Sequence, residues 1–256
     1  MGPTSGEGWP VPAADFSSEL AQASYETTLN QAEIADQLGW DWVSVAEHHF
    51  APFSISPNPM VMAAAFSQRV KTAKIALMGP DTPILNPVRV AEEFAMLDNL
   101  TGGRIVAGLM RGTPNEYVTY NANPNESRGR FEESLKLIRM IWTEKQPFGW
   151  QGRYFQFRTI SIWPRPVQEP HPALFMSGSS MESGKFAAKN KVGVGFAVTT
   201  LEAASKAAAY YREEAGKADW EPAKDNVVYR MPFYWADTDD QAVEDLKVAG
   251  ASKFKG

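Results

Sequence analysis

The feature that most constrains this chain is an alternation of short, β-branched apolar runs with longer amphipathic stretches, repeated along most of its length. From Ser17 to Leu38 the residues Leu20, Tyr25, Leu29, Ile34 and Leu38 recur at helical spacing, and Gly39 supplies a C-terminal stop. A strand is expected at Trp42 to Ala46, a helix at Met60 to Val70, a strand at Ile75 to Met78, a helix at Val88 to Leu100 and a strand at Ile105 to Leu109. A helix from Ser127 to Trp142 leads into the aromatic stretch Phe148, Trp150, Tyr154, Phe155 and Phe157, whose Gly149 and Gly152 suggest a short β excursion or lid. Strands at Ala173 to Met176, Val192 to Val198 and Val227 to Trp235 follow, with helices at Glu182 to Asn190, Leu201 to Ala215 and from Asp239 onward. This order specifies an α/β fold with a parallel sheet covered by helices.

The length, 256 residues at 44% hydrophobic content, suits one (β/α) barrel domain over residues 1–256. Six strands are legible where a closed TIM-type (β/α)8 barrel has eight. A first strand is expected before Ser17, but Met1 to Pro12 is Gly-, Pro- and Ser/Thr-rich, and nothing after Val248 reads as a last strand. The chain is therefore expected to be a fragment at one or both ends, lacking the first and last strands. With no cysteine, disulfides, thiolate catalysis and iron–sulfur clusters are excluded. A formal charge of -5 without a basic block argues against nucleic acid. No signal-like start or membrane-length apolar run is visible, so a cytoplasmic protein is expected.

The strand at Trp42 to Ala46 runs straight into Glu47-His48-His49-Phe50, placing two of the three histidines at a strand's C-terminal end, the reactive face of a (β/α) barrel. Adjacent side chains on an extended segment point to opposite sides. That argues against one metal holding both rings, and for one imidazole in the pocket with the other supporting it. A histidine there can exchange a proton with a reacting oxygen; a pair bonding loop backbone is the structural alternative.

Ala46-Glu47-His48-His49-Phe50, Asn58-Pro59, Asn86-Pro87-Val88-Arg89-Val90-Ala91-Glu92-Glu93, Gly103-Arg104 and Gly108-Leu109-Met110-Arg111-Gly112 resemble, in order and spacing, the bacterial-luciferase-like flavin-dependent monooxygenases, the luciferase alpha subunit among them. Glu126-Ser127-Arg128, Pro164 to Pro172 and Ser179-Ser180-Met181-Glu182-Ser183 continue the pattern. The resemblance implies reduced FMN delivered by a separate flavin reductase, O2 as co-substrate, and oxidation of a small apolar substrate through a flavin 4a-peroxide. It implies catalytic roles around His48, with Glu47 and His49 in support, and a homodimer formed near the helix at Val88 to Leu100. Relatives that use deazaflavin for hydride transfer, and shortened relatives that bind flavin without turnover, are the alternatives.

A phosphate site has support from the residues themselves. Arg128 and Arg130 sit at a predicted helix start, where the dipole disfavours cations by about 0.3–1 kcal/mol. The serines of 179–183 join a strand to a helix N-terminus, where hydroxyls and free amides grip anions. By resemblance Arg111, Arg128, Ser179, Ser180 and Ser183 hold the FMN phosphate. Met78-Gly79 falls where the family often has a strained cis peptide against the flavin ring, with an ordinary turn before Pro80 as the alternative. Met110 stands where luciferases carry a reactive cysteine, and is expected to pack against the ring.

Overall fold

Two Asn-Pro pairs set the rhythm of the first half of the chain. Asn58 and Asn86 each accept hydrogen bonds from the second and third N–H groups of the helices they precede, and Pro59 and Pro87 occupy the first helical position, where a missing N–H costs nothing. A computed structural model describes residues 9–51, 55–231 and 233–252; the expected absence of a strand before Ser17 falls partly outside these residues. The barrel strands are β1 (Trp42–Val45), β2 (Lys74–Asp81) and β3 (Ile105–Met110), then β6 (Ala173–Ser177), β7 (Gly193–Phe196) and β8 (Val227–Tyr229), with a hairpin of β4 (Phe148–Gln151) and β5 (Gln156–Ile160) between the two groups. The helices are α1 (Ser18–Gln37), α2 (Pro59–Arg69), α3 (Pro87–Thr101), α4 (Pro114–Thr119), α5 (Ser127–Thr143), α6 (Met181–Lys189), α7 (Leu201–Gly216) and α8 (Asp239–Ser252).

The six barrel strands form one parallel sheet in the order β1-β2-β3-β6-β7-β8, so every C-terminal strand end lies on one side. Alternation along the strands divides the core. Val45, Ile75, Leu77, Ile105, Ala107, Leu109, Leu174 and Val194 face the helices in the main cluster, whereas Ala76, Val106 and Phe175 face inward with Trp42, Met78 and Val228. Trp42 and Phe175 meet edge-to-face with centroids 5.2 Å apart across that inner face. The fold is thus a (β/α) barrel sheet left open between β1 and β8, each paired on one side only among the described residues.

Buried Asp36 and Asp98 fasten the turns at the opposite end, and half-buried Glu133 fastens the hairpin. Asp36 accepts from the N–H groups of Lys71, Thr72 and Ala73 ahead of β2. Asp98, fully buried, accepts from the N–H groups of Val167 and Gln168 and from the Gln168 side chain. Glu133 on α5 takes the Trp150 indole and the N–H groups of Arg153, Tyr154 and Phe155, pinning the β4–β5 hairpin to the barrel wall.

The structure departs from the sequence expectations in four places. β2 runs on to Asp81 through an irregularity, β8 stops at Tyr229, α4 was not foreseen, and the peptide at Met78-Gly79 is not cis. The cis bonds of the described residues all precede proline, at Trp9-Pro10, Trp163-Pro164 and Glu169-Pro170. β8 is short because one neighbour alone supports it: after Arg230 N–H reaches Phe196 O at 2.8 Å, Met231, Phe233 and Trp235 are exposed instead of alternately buried.

Candidate functional site

β1 carries its alternation past Val45, so Glu47 and His49 turn to the packed side and His48 to the barrel mouth. Glu47 and His49 are each 6% exposed, while the His48 side chain keeps 31% exposure. His49 Nε2 and Glu47 Oε1 are 3.1 Å apart, and the other Glu47 oxygen accepts the Asp81 N–H at 3.2 Å. Tyr120 stacks edge-on against His49 at 5.1 Å, the Trp9 indole N–H donates to His49 O, and His48 N–H donates to Ser56 O. The Glu47-His48-His49 segment is thereby held on every side. His48 presents its ring at the C-terminal strand ends, and His49 and Glu47 brace one another behind it.

Close approach of β2 to β1 makes this possible. A Cβ on Gly79 would lie 2.4 Å from Glu47 N, so only glycine allows the two strand ends to meet here. Burial raises the Glu47 carboxyl above the ordinary range, an effect only partly offset by the His49 and Asp81 N–H contacts.

Three residues missed at the sequence level complete the cluster: Asp81, Glu116 and Tyr117. Asp81 ends β2 and is 3% exposed; Glu116, in α4, is 2% exposed. Glu116 Oε1 lies 3.8 Å from His48 Nδ1, and its other oxygen takes the Thr113 N–H at 2.8 Å and the Thr113 hydroxyl. Burial works to raise the Glu116 carboxyl, but the His48 and Thr113 contacts outweigh it and hold the group down at about 2. Asp81 goes the other way: burial and the adjacent Glu47 and Glu116 charges push its carboxyl well above the ordinary range. The signal for α4 was in the sequence. Thr113-Pro114-Asn115-Glu116 is a capping box with proline at the first helical position, and it forms as such.

The expected anion residues fall in one string at the same barrel end. Ser180 is the N-cap of α6: its hydroxyl accepts the Ser183 N–H at 3.1 Å and donates to the Ser183 hydroxyl at 2.9 Å, and Ser179 meets Ser177 at 2.9 Å. Arg128 Nη2 reaches Glu182 Oε2 at 2.7 Å and so ties the start of α5 to the start of α6. Arg111, exposed after β3, has its carbonyl bonded by the Tyr117 hydroxyl, which also meets Ser127. One expectation needs correction. The cation–dipole conflict at α5 is already relieved by Glu182 at Arg128 and by Glu126 at Arg130 (3.1 Å), so it does not by itself require a bound anion. What fits a flavin phosphate is the pair of exposed hydroxyls on the α6 N-terminus with a cation beside them.

Met78 and Met110 line the mouth on neighbouring strands, both half-buried, where an apolar ring face would rest. Between them the ladder slips: Met78 pairs with Gly108, but Asp81 pairs with Met110, three residues against two.

The sequence profile of the luciferase-like monooxygenase family matches residues 8–254. Among curated relatives, the oxygenase component of a flavin-dependent trigonelline monooxygenase from Acinetobacter baylyi is 27% identical over 169 residues, 65% of this chain and 46% of that protein. The alkanal monooxygenase beta chain of Vibrio harveyi is 30% identical over 165 residues, 64% of this chain and 51% of that protein. The chain thus spans about half the length of these relatives. Among solved structures, monooxygenase RslO1 from Streptomyces bottropensis superposes with a TM-score of 0.85 at 28% identity, over 94% of this chain and 74% of that one. A match over nearly the whole length, on a barrel whose strand ends gather the Glu47-His48-His49 segment and the α6 serines, places this chain in the luciferase-like monooxygenase family.

Proposed function

We propose that this chain acts as the oxygenase of a two-component system, holding reduced FMN delivered by a separate flavin reductase and using O2 to oxidise a small apolar substrate. The observation that carries the reading is His48: its ring stands at the barrel mouth with Nδ1 beside the buried Glu116 carboxylate, at the strand ends that also carry the Ser180–Ser183 cap. The bound reduced flavin supplies the electrons for O2. Glu116 steers the His48 ring from 3.8 Å, and His48 gives a proton to, or takes one from, the reacting oxygen. Ser180, Ser183, Arg111 and Arg128 hold the phosphate, and Met78 and Met110 provide a ring-facing surface that excludes water. No described helix is long and apolar enough to cross a membrane. Exposed Met96 and Leu100, four residues apart on one side of α3, offer an apolar patch suited to a homodimer.

The test is His48→Ala, assayed for flavin binding and for product with a panel of apolar substrates. Flavin binding is expected to persist within about threefold, as the ring is not a phosphate ligand, while turnover falls by about 10²-fold or more. Unchanged turnover overturns the assignment of His48. Parallel titration with reduced FMN and reduced deazaflavin, following O2 uptake, separates oxygenation from hydride transfer, and flavin binding without turnover on any substrate identifies a non-catalytic flavin binder.

A further inference from the structure

The acid at the end of β2 has no part in the reading above, and its placement is unusual. Partners across a parallel ladder share a face, so pairing with Met110 puts Asp81 on the face of Met78 and Gly108, at the barrel mouth. The extra residue between Met78 and Asp81 accomplishes this; without the slip, Asp81 would turn to the helix side. The carboxyl is driven close over the next loop, where a Cβ on Gly112 would lie 3.0 Å from Asp81 Oδ2, and Gly112 has φ +81°. Among the described residues nothing donates a hydrogen bond to the Asp81 carboxyl, although the residue is only 3% exposed. Glu47 takes His49 and the Asp81 N–H, and Glu116 takes His48 and Thr113, so among the described residues each neighbouring carboxylate has partners and the Asp81 carboxyl has no donor.

We propose that the Asp81 carboxyl reads the imide edge of the flavin's pyrimidine ring, setting its O–H and C=O side by side against a ring C=O and the ring N–H. This rests on the flavin-binding reading above. A buried, unpaired acid is tolerable only when neutral or supplied with a partner, and burial together with the Glu47 and Glu116 charges favours the neutral form. A neutral carboxyl carries one donor and one acceptor on adjacent atoms, which is the complement of an imide edge and of neither a phosphate nor an apolar substrate. The half-buried Met78 and Met110 on the adjoining positions offer the flat apolar contact that such a ring needs alongside.

The test compares binding of FMN with binding of 3-methyl-FMN, in which the ring N–H is blocked, by fluorescence titration of the full chain and its variants. The unaltered chain is expected to prefer FMN by about tenfold or more, the range of one lost buried hydrogen bond with its partner stranded. Asp81→Asn, which keeps a donor and an acceptor side by side, retains the preference. Asp81→Ala and the bulkier Asp81→Leu lower FMN affinity to the level of the methylated ring and abolish the preference. Equal binding of both rings by the unaltered chain, or a preference that survives in both Asp81→Ala and Asp81→Leu, overturns the proposal and leaves the flavin reading standing. Binding of neither ring by the unaltered chain overturns both.

Discussion

His48 Nδ1 and Glu116 Oε1 stand 3.8 Å apart across the barrel mouth, joining the end of β1 to a helix that follows β3. Because Thr113 also holds this carboxylate, Glu116 both steers the imidazole and caps α4. Glu116→Gln is expected to lower turnover by about tenfold or more with flavin affinity nearly unchanged, since it removes the charge from beside the ring. Glu116→Ala should in addition cost about 1–2 kcal/mol of stability through the lost cap. Steady-state kinetics with denaturant melts separate the two effects.

The pH dependence of stability should have opposite signs on the two sides of this cluster. Glu116 is held low when folded, so its contribution is present above its ordinary range and is lost as pH falls toward about 2. Asp81 and Glu47 are held high, so their contribution is complete in acid and is lost as pH rises through their elevated values. Asp81→Asn should therefore melt higher than the unaltered chain at pH 8, and the gap should shrink toward pH 4. Thermal melts across that range check it; a gap that widens in acid would be the wrong sign.

Glu182 competes for the cation expected to meet phosphate. Its 2.7 Å contact with Arg128 is largely exposed, so the pair itself contributes at most about 1 kcal/mol. Glu182→Gln should tighten FMN binding by a few fold and leave riboflavin binding unchanged, and Arg128→Ala should reduce the preference for FMN over riboflavin. Titration with both ligands at two ionic strengths reads this out, and the preference should weaken with salt.

At Gly79 the two strand ends meet backbone to backbone. Gly79→Ala cannot be absorbed by a rotamer change, because the 2.4 Å neighbour is Glu47 N. The substitution should displace Glu47-His48-His49, cost about 2 kcal/mol or more, and lower turnover out of proportion to the loss of folded protein. Far-UV melts and activity per folded molecule would show it.

The α/β order was legible because each strand is an apolar run bounded by helix caps, and Asn58-Pro59 and Asn86-Pro87 mark their helices without any tertiary information. The split between His48 in the mouth and Glu47 with His49 behind it was legible for a similar reason, since an extended segment alternates. Asp81 was not. Its face depends on a register slip that only the partner strand reveals, and Glu116 becomes a partner of His48 only once β1 and β3 are brought to opposite sides of β2. The length of β8 escaped for want of a second neighbour, because alternation in its sequence did not translate into burial. The dipole argument for a phosphate failed at Arg128 because the sequence could not show Glu182 arriving from another helix.

The slip between Met78 and Asp81 makes chain length at this point a chemical variable. Removing one residue from the end of β2 would leave the hydrophobic strand intact, yet it would carry the acid out of the mouth and bring its neighbour in. Relatives that differ by a single-residue gap at this position would thus be expected to differ in which side chain meets the ligand, even where every aligned residue type is the same. In this barrel the counting of residues, as much as their identity, decides what the pocket presents.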